Sequence, residues 1–363
     1  MRIGERAQDR TANSRPRRSG WPAHSVGRRL AGAVATLAVL GGSAACGGTG
    51  AGTAAPGAAT ALQQQYERVV RQVLPSVVQI STSSGSGSGV VYDAKGDIVT
   101  NAHVVGSATT VQVAPAGGGK PLTATVTGVF APDDLAVIHV RTGAASLHPA
   151  SFGRSASVQV GEIVLAMGNP LGLTGTVTEG IVSATGRTVS EGEGSSGVLI
   201  SAIQTSAPIN PGNSGGALVN LAGQVIGIPT LAATDPQLGG AAAGIGFAIP
   251  SDTVTMIAGQ LIATGKVTDS GRASLGISAQ TVADANGQPA GVAVRSVAPG
   301  GAAARAGLAA GDIITDLAGL PTPSVAALQS VLAAHKPGER VPARVVRGGA
   351  VSTVLITLES LSS

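Results

Sequence analysis

The sequence predicts an all-β body, a barrel or sandwich of short strands, followed by a small α+β domain. The first sign is a series of brief runs rich in Val and Ile, such as Val77-Val78-Gln79-Ile80, Asp97-Ile98-Val99-Thr100 and Gln224-Val225-Ile226-Gly227-Ile228. β-branched residues suit the pleated surface of a strand, and the Gly and Asp that punctuate these runs are turn formers. The second is composition: 54 Gly in 363 residues allow many tight turns, and a hydrophobic content of 43% is enough for sizeable cores. The third is a change of pattern after residue 264. Strands around Leu275-Gly276-Ile277 and Val292-Ala293-Val294 are there accompanied by a helix from Ser324 to Ala334, with Val325, Leu328, Val331 and Leu332 on one face.

Residues 1–29 are polar and rich in Arg, Ser and Pro. The apolar run Leu30 to Leu40 follows Arg28-Arg29 and precedes the small residues Gly41-Gly42-Ser43-Ala44-Ala45, so residues 1–45 have the layout of a signal or anchor segment. The run falls well short of the about 20 residues that span a bilayer. Small residues directly before Cys46 resemble a lipobox, which implies lipidation of Cys46 and a membrane anchor on the outer face of the cell membrane. A plain cleavable signal and an uncleaved anchor are the alternatives, and each places the remainder outside the cytoplasm. Residues 46–60, of Gly, Ala, Thr and Pro, read as a flexible linker.

The formal charge of +4 is carried by this leader. Residues 1–45 hold eight of the 23 basic residues and two of the 19 acidic ones, which leaves 15 basic against 17 acidic in the rest. With aromatics at 2% there is neither a basic patch nor a stacking platform, so nucleic acid is not expected as a partner. A single cysteine excludes an intramolecular disulfide and a Cys-based zinc site, and nothing implies a metal or cofactor.

Residues 61–73 read as a short helix that Pro75 ends. Strands follow at Gly89-Val90-Val91-Tyr92, Thr109 to Val113, Thr123 to Val129, Glu162 to Ala166, Gly180 to Ser183 and Gly246 to Ile249, and Pro250 to Ala263 reads as a helix. The first domain is thus placed at 61–263, a polar linker at 264–272 and the second domain at 273–360.

Candidate chemistry centres on Asn210-Pro211-Gly212-Asn213-Ser214-Gly215-Gly216, a serine on a Gly-rich turn between two strand-like runs. Gly bares backbone N–H groups beside the hydroxyl, the pairing that nucleophilic catalysis needs. His103 follows one strand, and Asp134 precedes another. The order His, Asp, Ser is that of chymotrypsin-type enzymes. Asp134 is preferred to Asp133 because it abuts the strand, with Asp133 as the alternative. His139 alternates within an apolar strand and reads as structural.

Several stretches together resemble the HtrA/Deg family of trypsin-fold serine proteases across residues 62–262. They are Gly87-Ser88-Gly89, Thr100-Asn101-Ala102-His103-Val104, Asp134-Leu135-Ala136-Val137, Gly168-Asn169-Pro170-Leu171-Gly172, the Ser214 motif and Gly244 to Pro250. The tail resembles a PDZ domain through Ser274-Leu275-Gly276-Ile277 and Arg305 to Ile314. The resemblance implies an all-β trypsin-like double β-barrel followed by an α+β PDZ domain. It implies a serine endopeptidase of envelope protein quality control, acting on unfolded or misfolded proteins. His103, Asp134 and Ser214 would be catalytic, the turn Gly212, Asn213 and Ser214 the oxyanion hole. Ile226, Gly227, Ile228, Ile245, Gly246 and Phe247 would line the substrate pocket. Peptide C-termini would bind at Ser274, Leu275, Gly276 and Ile277, with Leu328 and Val331 flooring the groove. A homotrimer is also implied. The alternative is a catalytically quiescent chaperone or binding module working through its PDZ domain. Ser206 and Pro229 depart from the family's usual Asp and Asn.

Overall fold

The computed structural model describes residues 57–363, apart from 84, 170–174, 191–197, 211 and 236–239. The leader expectations, Cys46 among them, lie outside the described residues. Among the described residues no helix is long and apolar enough to cross a membrane. Pro56–Ser363 forms one compact unit.

Helix α1 spans Ala58–Val73, longer than expected, and buries Val69 and Val73. Six strands then close a first barrel: β1 (Val77–Ser81), β2 (Ser86–Val91), β3 (Asp97–Thr100), β4 (Thr110–Pro115), β5 (Leu122–Phe130) and β6 (Leu135–Val140), in the order β1-β2-β3-β6-β5-β4. The short helix α2 (Ala102–Val105) follows β3. A second barrel is built from β7 (Ile163–Gly168), β8 (Thr176–Ser190), β9 (Val198–Thr205), β10 (Ala217–Asn220), β11 (Val225–Asp235) and β12 (Gly240–Pro250), in the order β10-β11-β12-β9-β8-β7. Closure removes the free edges that would otherwise recruit another chain.

Period-two alternation sorts each strand's side chains between two cores. Val78 and Ile80 of β1 and Ala136, Ile138 and Val140 of β6 fill the first barrel. Val164 and Ala166 of β7, with Leu218 and Ile226, fill the second. The intervening residues Val77, Leu135, Val137, Leu165 and Met167 turn the other way, into one apolar seam shared by both barrels. Helix α3 (Ser251–Thr264) covers that seam. Its buried Val254, Ile257, Ala258 and Leu261 recur at i, i+3, i+4 and i+7, the spacing that puts them on one face.

The chain then forms a five-strand-plus-edge β region with two helices. Its elements are β13 (Ala273–Ser274), β14 (Ile277–Ala283), β15 (Pro289–Val297), α4 (Ala302–Arg305), β16 (Ile313–Leu317), β17 (Leu320–Pro321), α5 (Val325–Ala333), β18 (Arg340–Arg347), β19 (Ala350–Thr357) and β20 (Glu359–Ser360). The sheet order is β14-β15-β16-β18-β19, with β17 on β16 and β13 paired separately to β20. An ion pair between an exposed arginine and a buried carboxylate holds it: Arg347 Nε and Nη2 reach Asp312 Oδ1 and Oδ2 at 2.6 and 2.7 Å, and Ala309 N–H donates to Oδ2 at 2.8 Å. Hydrogen bonding from Arg347 holds the Asp312 carboxyl below the usual carboxylate range. A folded carboxyl that is more acidic than its unfolded form stabilises above the unfolded pKa of about 3.9, and that stability is lost as pH falls through the folded value. Asp312→Asn should therefore flatten the acid limb of this region's unfolding curve. It should also lower its midpoint near neutral pH by about 4 °C or more, the shift that about 1 kcal/mol gives in a domain of this size. Thermal melts of both chains from pH 3 to pH 7 read both effects.

The stretch expected to be a polar linker, 264–272, is instead packed. Val267 is 1% exposed and joins the barrel seam. Ser363 N–H donates to Val267 O, and Leu361 N–H to Arg272 O. Polarity along the chain did not reveal this, because the partners lie about ninety residues away and act mostly through backbone groups.

Candidate active site

The two barrels place three polar side chains at their junction. Asp134 ends a 3-10 turn, Ala131–Asp133, with φ 49° and ψ 42°, a left-handed conformation that Asp tolerates better than most residues. That turn aims both its backbone and its side chain at the segment after β3. Asp134 O accepts from Ala102 N and Asn101 Nδ2, each at 3.0 Å. Asp134 Oδ1 accepts from His103 N at 2.9 Å, and Oδ2 lies 2.8 Å from His103 Nδ1. The carboxylate is buried while the imidazole is 48% exposed, so the ring is anchored through Nδ1 to a buried group. Asp133 turns the opposite way, to Arg272 Nη1 at 2.5 Å, and burial pushes its carboxyl up while the guanidinium pulls it back. Of the two adjacent acids, Asp134 is the one in contact with His103.

Ser214 sits before β10 on a turn in which Asn213 N–H donates to Asn210 O at 3.0 Å and Gly212 has φ 102°. A positive φ at Gly212 within the turn closed by that hydrogen bond is a conformation that favours Gly there. Gly215 (φ 79°) is required for a second reason: a Cβ there would collide with the Ser88 carbonyl. One expectation is corrected here. Asn213 N–H is spent within the turn, so it is not free to donate to an oxyanion.

Thr230, on β11, was not anticipated. Its hydroxyl makes a short hydrogen bond to Asp134 Oδ2, and its carbonyl accepts from Ser214 Oγ at 3.2 Å. It is buried, and it ties the serine's turn to the aspartate's turn across the barrels. A polar residue next to Pro229, just past the apolar run Val225 to Ile228, was the only signal in the sequence.

The other histidines among the described residues lie elsewhere. His139 Nδ1 is 2.8 Å from Asp97 Oδ1 across the β3–β6 pair, His335 Nδ1 is 2.7 Å from Glu339 Oε2, and His148 is exposed.

Comparison with known proteins gives these contacts a context. A trypsin-like peptidase domain matches residues 87–228 and a PDZ domain matches residues 273–358. Serine protease PepD of Mycobacterium tuberculosis is 41% identical over 81% of this chain, and serine endoprotease DegS of Escherichia coli is 36% identical over 81% of this chain and 85% of its own length. The chain belongs to the HtrA family of serine proteases. It spans 66% of the length of PepD and 60% of that of the periplasmic pH-dependent serine endoprotease DegQ of Escherichia coli. Among solved structures, the serine endoprotease from Yersinia pestis superposes with a TM-score of 0.55 at 36% identity, covering 82% of this chain and 98% of that one. The HtrA-type protease AlgW with a decapeptide gives 0.56 at 30% identity, over 82% of this chain and 98% of its own.

The pocket wall expected in this HtrA chain is corrected in part. Ile226 is 1% exposed inside the second barrel and Ile228 is 0% exposed in the seam, so both are core residues, and Gly227 lies between them against Ile249 O. The β11 residues that pair with Gly246 and Phe247 are Ala232 and Leu231, farther along the strand. Ile245 is 38% exposed, whereas Phe247 is largely buried. The apolar run was legible in the sequence, but the stretch of it facing Gly246 was not.

In the PDZ region, Gly276 (φ 68°) turns the chain into β14, and its N–H donates to Ser274 Oγ at 3.1 Å. That donor of the expected carboxylate loop is therefore engaged internally. Leu275 is buried, and Leu328 and Val331 of α5 pack in the same cluster as Ile277 and Ala279 of β14. These apolar side chains lie between α5 and the edge strand β14, as a strand-adding peptide would require.

Proposed function

We propose that this chain is a serine endopeptidase that cleaves unfolded or misfolded proteins outside the cytoplasm, with a PDZ domain that binds peptide C-termini. The observation that carries the reading is the 2.8 Å contact of His103 Nδ1 with Asp134 Oδ2, linked through Thr230 to the hydroxyl of Ser214. In this reading Ser214 Oγ attacks the peptide carbonyl while His103 Nε2 takes its proton and later returns it to the leaving amine. Asp134 holds the Nδ1–H tautomer and stabilises the imidazolium. The N–H groups of Gly212 and Ser214 face the developing oxyanion. Ile245, Gly246 and Phe247 form one wall of the substrate pocket, where an apolar side chain fits. Attachment through Cys46, and a homotrimer assembled near α1, belong to the same proposal and are supported by the family alone.

A fluorophosphonate should add once per chain, and casein should be cut by the full chain. A peptide ending in an apolar residue with a free carboxylate should bind and raise cleavage, and its amidated form should do neither. A chain that binds the peptide yet neither labels nor cleaves would be a quiescent binding module instead.

A further inference from the structure

We propose that Ser88 is a positioning residue that sets the oxyanion turn, through a hydroxyl that touches no substrate. This rests on the proteolytic reading of the site. Ser88 lies on β2, fully buried, between Gly87 and Gly89. Its Oγ donates to Gly212 O at 2.5 Å and accepts from Asn169 N–H at 2.8 Å. Its backbone N–H donates to Ser214 O at 2.9 Å, and its carbonyl accepts from Thr100 Oγ1 at 2.7 Å. Every polar handle of this one residue is used on the nucleophile's turn, on the strand that leads to His103, or on the segment after β7.

The flanking glycines are what allow this approach. A Cβ at Gly87 would stand 2.6 Å from Val104 Cγ2 and 3.3 Å from Ser214 O, and one at Gly89 would stand 2.7 Å from both Ile80 Cδ1 and Ile98 Cγ2. Each Cβ would have to displace a core side chain or push β2 off the turn.

The Gly212 carbonyl belongs to the peptide that follows the oxyanion donor. With Asn213 N–H bonded to Asn210 O on one side and Gly212 O bonded to Ser88 Oγ on the other, that peptide is held at both ends. Positive φ at Gly212 is a conformation that glycine adopts readily and that rotation of this peptide would change. Removing the Ser88 hydroxyl leaves the carbonyl of the half-buried Gly212 without that donor. The turn is then released to rotate toward another partner, which takes the Gly212 N–H off its line to the oxyanion.

The test uses the full chain with Ser88→Ala and Ser88→Cys, a near-isosteric pair in which the thiol is a weaker donor. Loss of one oxyanion donor in other proteases lowers kcat by about 10²–10³. Ser88→Ala should show a loss in that range with KM changed less than about threefold, and Ser88→Cys should fall between it and the parent. The affinity of a peptide boronate, which forms a tetrahedral adduct, should fall in parallel with kcat, while that of the cleaved product peptide stays within about twofold. Unfolding midpoint and PDZ-peptide affinity report whether each variant is folded. Parental kcat and boronate affinity in Ser88→Ala would overturn the proposal. So would an equal loss of boronate and product affinity, or a loss of activity matched by a loss of folded protein, since each marks a merely structural serine. Should the parent chain itself fail to react with the boronate, the proteolytic reading fails rather than this one.

Discussion

Ser214→Ala should lower the cleavage of casein or of a fluorogenic peptide by about 10⁶-fold, the scale seen when the nucleophile of other serine proteases is removed. The variant keeps the His103–Asp134 contact and the Gly212 turn, but has no atom able to form the acyl intermediate. The fold should persist. The side chain is half-buried, and its loss removes one 3.2 Å hydrogen bond to Thr230 O, worth about 1 kcal/mol. Progress curves, a melting curve and fluorophosphonate mass spectrometry together check the three statements. Turnover within tenfold of the parent, or fluorophosphonate incorporation into the variant at another residue, would move the nucleophile away from Ser214.

Asp134→Asn should cost about 10⁴-fold in kcat, as the equivalent change does where the tautomer logic applies. Asn accepts the left-handed backbone of φ 49°, so the turn can survive the substitution. The chemistry does not. The Asp134 carboxylate accepts three hydrogen bonds, from His103 N, His103 Nδ1 and the Thr230 hydroxyl. An amide must present its NH₂ to some of them. When it donates to Nδ1, the imidazole carries its proton on Nε2 and cannot take one from Ser214. Asp133→Asn is the matched control. Asp133 pairs with Arg272 at 2.5 Å and is raised by burial, so its neutral form costs little desolvation and its effect should fall on stability. We expect its kcat to stay within about tenfold of the parent's. A control variant as inactive as Asp134→Asn would show that the turn, and not the carboxylate, is what catalysis needs.

Local pattern was enough for the architecture, and the reason is physical. A strand between two apolar layers must alternate, so Val78 and Ile80 belong to one core and Val77 to another wherever the strand lies in space. The same argument separates barrels from PDZ region, since a helical stripe at Val325, Leu328 and Val331 cannot belong to a strand. The motifs around His103, Asp134 and Ser214 also announce themselves, because turns need Gly, Asn and Asp at fixed places.

Distance is what a pattern cannot carry. Ser88 reaches Gly212 across 124 residues, Thr230 reaches Asp134 across 96, and Arg272 reaches Asp133 across 139. A hydrogen bond depends on angstroms and on a single backbone angle, such as the φ of 49° that turns Asp134 toward His103. Those values follow from how the two barrels close and meet, so the Asp133–Arg272 pairing, the Thr230 bridge and the core positions of Ile226 and Ile228 were decided only by the tertiary structure. By itself the sequence determined which residues could face a core or form a turn; packing determined which of them touch.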